Sequence, residues 1–487
     1  MRSNIVKCSF TIIIFVSWST LTTANDMEIS LEFPNYVNFE HVCENEKISF
    51  NFANATITSI GRDFISSPWI TCLNFTNTHL QSIEKGAFNN LPNLTQLILS
   101  NNVYWNKLFD FGGHKNLKIL ILNNVASSNN YYYNQPVSDI SEDYPNLQIL
   151  SIRRYYINNL QISTDKTPFP KLNILDLSDN HITNTNFIEL LPDSLYFLDL
   201  HGNSFTSLAF DKRQVNNLLA LNLDNNNLKY MTKYNDSRDD SDNLYNRRYG
   251  HNMYSQDIYS HSLVMAGLEN LHYLSISNNQ IDYIESNTFD DINKLVYLNL
   301  SANKITYLYS EIFEKLQSLR LLDLSFNKLK DVPQISNETV ISVLSLNCNN
   351  IKNIFSNAFD RMPKLKKLLL GGNQIEEINA KVFTQLSLLE ILDLSKNKLS
   401  FLPEGFSESL TSLKYLNVEN NQFTSLESLS LTSVSSSMDV YVAMNPLKYL
   451  NVNYLKSLPQ NLTVNLQESD FSYLNSDKCR ENHQIDY

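Results

Sequence analysis

Apolar and polar residues follow one another in a pattern that returns along most of the chain. Each copy has an apolar residue and, three residues later, a pair of leucines separated by one residue. Asn usually follows three residues after the second leucine of the pair. The copy Leu389-Glu-Ile-Leu-Asp-Leu-Ser-Lys-Asn397 is typical, and the first leucine of its pair, Leu392, serves as the marker of the repeat. The sixteen markers between residues 48 and 447 are Phe50, Leu73, Leu97, Leu120, Leu150, Leu175, Leu198, Leu221, Leu274, Leu298, Leu322, Leu344, Leu368, Leu392, Leu416 and Val440.

The markers are regularly spaced along the sequence. Thirteen of the fifteen intervals measure 22–25 residues, and the other two measure 30 and 53. A fixed period of this size predicts stacked coils, because no single repeat can bury its apolar face alone. Within a repeat, Leu322 and Leu324 alternate with polar neighbours, which predicts a short strand with one buried face. We therefore expect about sixteen repeats whose strands join in a curved parallel sheet.

Asn occupies the last position of the pattern in twelve of the sixteen repeats. We interpret these residues as a ladder, whose side-chain amides satisfy backbone groups at the turn after each strand. The exceptions are Ala55, Thr78, Val125 and Tyr155, all in the first five repeats. The pattern L-x-x-L-x-L-x-x-N-x-L is that of the leucine-rich repeat. It predicts an α/β solenoid of the leucine-rich repeat type, with the shape of a horseshoe.

The 24-residue copies, such as Leu319 to Leu329, resemble those of extracellular leucine-rich repeat proteins. The resemblance covers about four fifths of the chain and extends to Toll-type receptor ectodomains and secreted insect immune proteins. It implies a binding protein that acts through protein–protein or pattern recognition in innate immunity. A role in cell adhesion or the extracellular matrix would use the same surface and stays open as the alternative, since one fold hosts many functions.

The chain is expected to contain four segments. Residues 1–24 resemble a signal peptide, in which Arg2 and Lys7 precede an apolar run and small residues follow it. Residues 25–47 should form an N-terminal cap, 48–447 the array with a loop insertion at about 232–262, and 448–487 a C-terminal cap and tail. No later apolar run approaches the roughly 20 residues that a membrane helix needs. We therefore expect a secreted, extracellular protein without membrane insertion.

Glycosylation motifs and charge agree with this localisation. The net charge of −12 disfavours nucleic acid as a partner, although solubility alone accounts for an acidic surface. Seven sequons for N-linked glycans support the secretory interpretation. They begin at Asn54, Asn74, Asn93, Asn235, Asn299, Asn337 and Asn461.

The cysteines fall into two groups. The family resemblance implies a disulfide between Cys43 and Cys72, where an N-terminal cap would cover the exposed core. Three interpretations of Cys348 and Cys479 stay open. A bridge between them would require the tail to fold back along the sheet, whereas Cys348 could be a buried free thiol. Cys479 lies in a polar tail and is a candidate for an interchain bond, which would give a disulfide-linked dimer.

The concave face of the sheet is the expected ligand surface. Three positions per strand should point to solvent there, and in early repeats they form an apolar stripe. Exposed contiguous apolar surface usually marks an interaction site, but β-branched residues suit strands without any ligand. Arg153, in the coil after the 30-residue repeat, is a further candidate. The stripe consists of Ile98, Ile119, Ile121, Ile149, Ile174 and Phe197.

A row of aspartates runs beside this stripe. We interpret these carboxylates as solvated or bonded to the turn that follows each strand, because Leu-Asp-Leu-Ser is frequent in this family. The row consists of Asp176, Asp199, Asp323 and Asp393.

The insertion near 232–262 is rich in Tyr, Ser, Asp and Asn, and its candidate contact residues are Tyr245, Tyr249 and Tyr254. Such a composition is typical of adaptable binding loops, because Tyr offers a large contact area at little cost in entropy. A tolerated disordered insertion and cleavage at Arg247-Arg248 are the alternatives.

An enzyme is not expected. The sequence lacks the H-E-x-x-H and G-x-S-x-G motifs and a phosphate-binding glycine loop. His251, His261 and His272 lie in or near the insertion, but their spacing does not indicate a metal site. We therefore expect neither metal nor cofactor, and a protein or microbial-surface ligand as the partner.

Overall fold

A computed structural model of the chain describes residues 43, 48–102, 109, 111–124, 138–140, 142–162, 167–210, 215–234, 261–434 and 437–467. Several predicted features lie outside these described residues. They are the signal peptide, Asn235, Tyr245, Tyr249, Tyr254 and Cys479.

The chain forms two compact units, and each contains a parallel sheet with one strand per repeat. Unit 1 comprises Met1–Asn226 and Ala266–Leu271, and unit 2 comprises Asn227–Met265 and His272–Tyr487. The strands of unit 1 are Ser49–Asn51, Cys72–Asn74, Gln96–Ile98, Ile119–Ile121, Ile149–Ser151, Ile174–Asp176, Phe197–Asp199 and Ala220–Asn222. Those of unit 2 are Tyr273–Ser275, Tyr297–Asn299, Leu321–Asp323, Val343–Ser345, Lys367–Leu369, Ile391–Asp393, Tyr415–Asn417, Met438–Tyr441 and Leu462–Asn465.

The sixteen predicted markers all lie in these strands. Successive markers are partners in register, as Leu298, Leu322 and Leu344 show. These three leucines are at most 1% exposed, so the core runs through the stack behind the sheet. Phenylalanines on the return side extend it, and Phe289 stacks on Phe313 at a ring distance of 6.5 Å. The predicted parallel solenoid is confirmed.

The Asn ladder ties each coil to the one before it. The side-chain nitrogen of Asn327 donates to the carbonyl of Leu300 in the preceding coil at 2.9 Å and to that of Leu324 in its own coil at 3.1 Å. Its oxygen accepts the backbone N–H of Ile305, also in the preceding coil, at 3.0 Å. Each ladder Asn therefore satisfies backbone groups of two coils at once.

Short strands on the return side connect neighbouring coils, and helix is scarce. In unit 1 these strands are Ser59–Ile60, Ser82–Ile83, Ser138–Ile140 and Leu160–Ile162, and in unit 2 they are Tyr230–Thr232, Ser262–Val264, Tyr283–Ile284, Asn353–Ile354 and Glu377–Ile378. The described residues contain one α-helix, Val452–Ser457, and the 3-10 helices Asn186–Leu190, Glu427–Leu429 and Leu431–Ser433.

Both ends of the predicted insertion belong to the core of unit 2. Strand Tyr230–Thr232 pairs in parallel with Ser262–Val264 and also with Tyr283–Ile284. Met231 and Leu263 are fully buried. The insertion is therefore shorter than 232–262, because its first and last residues are held by strand pairing.

The array extends one coil beyond its predicted end at residue 447. Strand Leu462–Asn465 pairs with Met438–Tyr441, and Val464 lies opposite the marker Val440. The helix Val452–Ser457 forms the return segment, and the side chain of Asn451 caps its first turn. Several apolar side chains of this last coil remain exposed, among them Tyr449, Leu450, Val452 and Leu466. The sequence pattern missed this coil because Asn461 stands where the pattern has its first apolar residue and Ser469 stands where it has Asn.

Two of the cysteine interpretations can be judged from the structure. Cys43 and Cys72 form a disulfide with their Cα atoms 5.8 Å apart, at the first strands of unit 1. Cys348 is buried and disulfide-bonded, with its partner outside the described residues. The interpretation of Cys348 as a free thiol is therefore wrong.

Candidate ligand-binding face

The predicted ligand surface is the face of the sheet opposite the core leucines, here called the outer face. It carries the side chains immediately before, between and immediately after the two leucines of each pair. In one coil of unit 2 these are Leu321, Asp323 and Ser325, and all three are buried. Each is flanked in register by side chains of adjoining strands, such as Val343 and Ser345. Because parallel strands lie about 4.8 Å apart, such neighbours shield one another from water, and the predicted solvent exposure is wrong.

The apolar stripe of unit 1 is also buried. None of its six side chains is more than 6% exposed. Ile119, Ile149, Ile174 and Phe197 stand side by side in register on four successive strands. Contacts between such neighbours are the usual unit of sheet stabilisation, so these residues form a packed row. The prediction that Ile98, Ile119, Ile121, Ile149, Ile174 and Phe197 form an exposed stripe is wrong.

The aspartates bond to the turns after the strands, which was one of the two alternatives. The Oδ1 atoms of Asp176, Asp323 and Asp393 accept the backbone N–H two residues further on, at 2.9–3.0 Å. They are buried rather than solvated. Burial raises the pKa of all three carboxyls, to about 6 for Asp393. For Asp176 the nearby charge of Asp199 adds to this effect.

A charged cluster in unit 1 interrupts the buried part of the outer face. Arg153 donates to Oδ2 of Asp179 from Nε at 3.0 Å and from Nη2 at 2.9 Å, and Nε of Arg154 approaches the same oxygen at 3.1 Å. The Arg154 side chain is 59% exposed, and that of Asp179 is 27% exposed. Two guanidinium groups are thus held by one carboxylate at the surface.

His201 links this carboxylate to a second one. Its Nδ1 atom lies 2.8 Å from Oδ1 of Asp199, and its Nε2 atom lies 3.4 Å from Oδ1 of Asp179. Burial alone would lower the pKa of His201, but the hydrogen bond and charge of Asp199 and the charge of Asp179 outweigh it and raise the pKa. Burial would raise the pKa of Asp179, but the hydrogen bond from Arg153 and the charges of His201, Arg153 and Arg154 lower it.

The turns after the strands position the cluster. In the coil of Arg153 and Arg154 the ladder Asn is replaced by Tyr155, whose N–H is accepted by Asn180 of the next coil at 2.9 Å. Arg154 has a positive φ of 54°, as has Asp179 at the same turn position of the next coil, with 53°. Gly202 lies opposite Asp179, and a Cβ atom on it would come within 2.5 Å of Oδ1. Glycine there leaves room for the carboxylate.

The sequence predicted only Arg153 of this cluster. Asp179, His201 and Arg154 were missed as site residues, because each stands at a turn position that usually holds a structural residue. One feature of the sequence could have indicated them. In two successive coils the residue just before the ladder Asn, or before its substitute, is charged, and these residues are Arg154 and Asp179.

The described sequons differ in accessibility. Asn54, Asn93, Asn337 and Asn461 are exposed, whereas Asn74 and Asn299 are half-buried in strands. The Oδ1 atoms of Asn74 and Asn299 accept the N–H groups of Thr76 and Ser301 at 2.9 Å. Glycans on the four exposed residues would require no rearrangement of the sheet.

A pocket of about 380 Å³ opens in unit 2 beside the coil that has the shortest interval between markers. The coil that starts at Leu322 has 22 residues before the next marker and lacks the return-side Phe of its neighbours. Tyr307, Leu308, Val332 and Phe355 line the resulting space. The missing aromatic side chain accounts for this pocket.

Comparisons with known proteins agree with this architecture. The leucine-rich repeat family matches residues 264–305, 339–399 and 363–423. The BspA-type leucine-rich repeat region matches residues 35–168, and the two families together cover more than half of the chain. The chain belongs to the leucine-rich repeat proteins.

Several solved structures are similar to this chain, and the one with a TM-score above 0.5 shows the same fold. A leucine-rich repeat protein of Leptospira interrogans is 22% identical, and the match covers 88% of this chain and 99% of that one, with a TM-score of 0.53. An internalin of Listeria monocytogenes is 18% identical over 68% of this chain and 88% of its own, with a TM-score of 0.43. TLR13, solved in complex with ssRNA13, is 18% identical over 85% and 76%, with a TM-score of 0.42. No curated protein matches the sequence significantly.

Two further properties concern the residues that the structure describes. Within them, no three His, Cys, Asp or Glu residues are arranged to hold a metal ion. No helix in the same part of the chain has the length and apolar character to cross a lipid bilayer.

Proposed function

We propose that this leucine-rich repeat protein is secreted and binds a protein or microbial-surface ligand in innate immunity, through the cluster of Arg153, Arg154, Asp179 and His201. The observation that carries the proposal is the exposed guanidinium of Arg154, held with Arg153 on one carboxylate. Arginine is enriched at the energetically important positions of interfaces. A side chain already fixed by hydrogen bonds loses less entropy when a ligand binds.

The cluster favours a ligand that carries carboxylate groups. A planar guanidinium group has five donors, and Asp179 accepts from Nε of Arg154. The Nη donors of Arg154 match the geometry of a carboxylate. Cell adhesion, or a place in the extracellular matrix, is the alternative, and constitutive attachment to tissue would favour it over secretion induced by infection.

Secretion is supported by the basic, apolar and small-residue pattern of residues 1–24 and by four exposed sequons. The disulfide between Cys43 and Cys72 fits an oxidising compartment. We propose that the exposed sequons carry glycans. A second, independent proposal concerns assembly: Cys479 pairs with Cys348, and a disulfide-linked dimer results where that pair joins two chains.

The test is co-purification of partners from native extracellular fluid with the full-length protein. The variant Arg153→Gln/Arg154→Gln should lose a partner that wild type captures. Lys366→Gln/Lys414→Gln is the matched control, because it removes two cations that flank one carboxylate, Glu390, just before the strands of unit 2. Equal capture by both variants and wild type would sink the assignment to the cluster.

A further inference from the structure

Two aromatic rings line the pocket of about 380 Å³ in unit 2. Tyr307 belongs to the coil before the short one, and Phe355 belongs to the coil after it. Their side chains are 49% and 56% exposed. The buried residues Val332 and Pro333 of the short coil line the same space. The pocket therefore offers exposed aromatic surface above a buried apolar base, within the range of small-molecule sites, roughly 300–1,000 Å³.

Hydrogen-bonding side chains line the same pocket. Asp331 and Gln334 are both exposed there. Within the described part of the chain, neither side chain forms a hydrogen bond or an ion pair, so both can bind a ligand. A carboxylate only accepts hydrogen bonds, whereas an amide both donates and accepts them. The matching occupant has an apolar face with donors and acceptors at its edge.

A saccharide has this combination of properties. One face of a sugar ring presents C–H groups that pack against aromatic rings, and the hydroxyls at its edge both donate and accept hydrogen bonds. The acetamido group of an N-acetylhexosamine adds an N–H donor for Asp331, a carbonyl acceptor for Gln334 and a methyl group for the apolar surface. An aromatic side chain of a protein ligand would cover the same rings but would leave both polar side chains without a new partner.

A glycosylation motif adjoins the pocket. Asn337, in the sequon Asn337-Glu-Thr339, is exposed and follows Gln334 by three residues. The N–H of Ser336 donates to the carbonyl of Ser310, which lines the pocket, at 3.2 Å. The backbone just before the sequon is therefore fixed to the pocket wall. N-linked glycans begin with an N-acetylhexosamine, so a glycan on Asn337 would bring such a sugar beside the pocket.

We propose that the pocket lined by Tyr307 and Phe355 binds the ring of an N-acetylhexosamine. The two aromatic side chains pack on its apolar face, and Asp331 accepts a hydrogen bond from its acetamido N–H. The sugar comes either from the glycan of Asn337 or from a saccharide outside the chain. This site lies in unit 2 and goes beyond the function proposed for the Arg153 cluster; only the first source rests on the proposed glycosylation.

The test uses the full-length protein with N,N′-diacetylchitobiose as the probe. Cellobiose, which lacks the acetamido groups, is the control sugar. Asn337→Gln removes the sequon, so that no glycan of the chain competes for the pocket. We expect saturable binding of N,N′-diacetylchitobiose to this variant in titration calorimetry, and binding of cellobiose that is at least about tenfold weaker, because the hydrogen bond to Asp331 is lost.

Further substitutions in Asn337→Gln locate the binding. Phe355→Ala should weaken it at least about tenfold, because one of the two aromatic surfaces is removed. Phe401→Ala is the matched control, since Phe401 is 44% exposed in unit 2 and does not line the pocket. Both phenylalanines are largely exposed, so both variants should fold. Asp331→Ala should remove the preference for N,N′-diacetylchitobiose over cellobiose.

Wild type distinguishes the two sources of the sugar. If mass spectrometry finds a glycan on Asn337, and wild type binds the probe only after Asn337→Gln, the chain's own glycan occupies the pocket. NOEs from its acetamido methyl group to the ring of Phe355 would then be expected. Equal binding by wild type and Asn337→Gln would assign the pocket to outside saccharides.

Three outcomes would overturn the proposal. They are no saturable binding of the probe to Asn337→Gln, equal binding after Phe355→Ala, and binding of N-acetyl-phenylalanine amide in place of the sugar. The last outcome would assign the pocket to an aromatic side chain of a protein ligand. Arg153→Gln/Arg154→Gln should bind the probe as wild type does, so a failure at this pocket and a failure at the Arg153 cluster are distinguishable.

Discussion

Asp179 joins two coils of unit 1 by accepting two hydrogen bonds, at 2.9 and 3.0 Å, from the guanidinium of Arg153. Since the pKa of Asp179 is lowered, its contribution to stability is present above its unfolded pKa of 3.8 and is lost as the pH falls through the lower folded value. Asp179→Asn should cost about 1–2 kcal/mol at neutral pH, because hydrogen bonds to charged groups contribute that much. Urea unfolding at pH 7 and at pH 3 measures it, and an equal loss at both values would contradict the ionic role.

His201 should make stability depend on pH in the opposite sense. Its pKa is raised above 6.5 by Asp199 and Asp179, so the stabilisation is complete below 6.5 and is lost as the pH rises through the folded value. His201→Gln should therefore narrow the difference in Tm between pH 6 and pH 8. His181, which is exposed, provides the control variant His181→Gln. If the Tm of wild type and the Tm of His201→Gln change equally between pH 6 and pH 8, the assigned bonds are wrong.

Removal of one ladder Asn should destabilise unit 2 substantially. Asn327→Ala leaves the N–H of Ile305 without its partner. The carbonyls of Leu300 and Leu324 each lose one of two amide donors and keep the other, from Asn303 and Asn349. A buried unsatisfied group costs about 1–3 kcal/mol, so we expect a loss of about 1–3 kcal/mol in the free energy of unfolding. Asn357→Ala, at an exposed position, is the control. A loss below about 1 kcal/mol would show that water replaces the amide.

The protein should tolerate deletion of the part of the insertion that lies between the two paired strands, but not deletion of the strands themselves. Replacing residues 235–260 by a short Gly-Ser linker leaves Tyr230–Thr232 and Ser262–Val264 in place, so we expect normal secretion and Tm. A deletion that also removes Ser262–Val264 exposes Met231 and should abolish secretion. Loss of secretion with the shorter deletion would show that the insertion itself contributes to the fold.

The disulfide of Cys348 constrains the role of Cys479. Of the five cysteines, Cys43 and Cys72 bond to each other, which leaves Cys8 and Cys479 as partners for Cys348. Because Cys8 falls within the predicted signal peptide, we expect peptide mapping of the secreted protein to give a cross-link between Cys348 and Cys479. A disulfide between Cys479 residues of two chains, removed by Cys479→Ser on non-reducing gels, would support the dimer instead.

The sequence predicted the strands well because their cause is local and repeated. A leucine pair such as Leu322 and Leu324 specifies the same strand wherever it occurs, and all sixteen markers lie in strands. The coil of Val464 was missed because the positions before and after its apolar pair hold Asn461 and Ser469 instead of an apolar residue and Asn. The pattern could not predict the exposure of the outer face. The burial of Ile149 depends on which side chains of two other coils stand beside it, and the sequence of its own coil does not contain that information.

The candidate sites were harder still to predict from the sequence, because they too depend on residues of other coils. Arg153 could be singled out by its place beside an irregular repeat, but its partner Asp179 lies 26 residues further on. Such arrangements arise from contacts between repeats, which the spacing of leucines does not specify.

The Asn ladder also has a direction, which bears on how the chain is made. Asn421 serves the carbonyl of Leu394 and the N–H of Leu399, both in the preceding coil, and Asn327 does the same for Leu300 and Ile305. The carbonyls of Leu394 and Leu300 also accept from the Asn of their own coil, but the two N–H groups find their partner only after the next coil, usually 24 residues later, has been synthesised. We therefore expect each coil of a growing chain to become fully hydrogen-bonded only when the following repeat has been added.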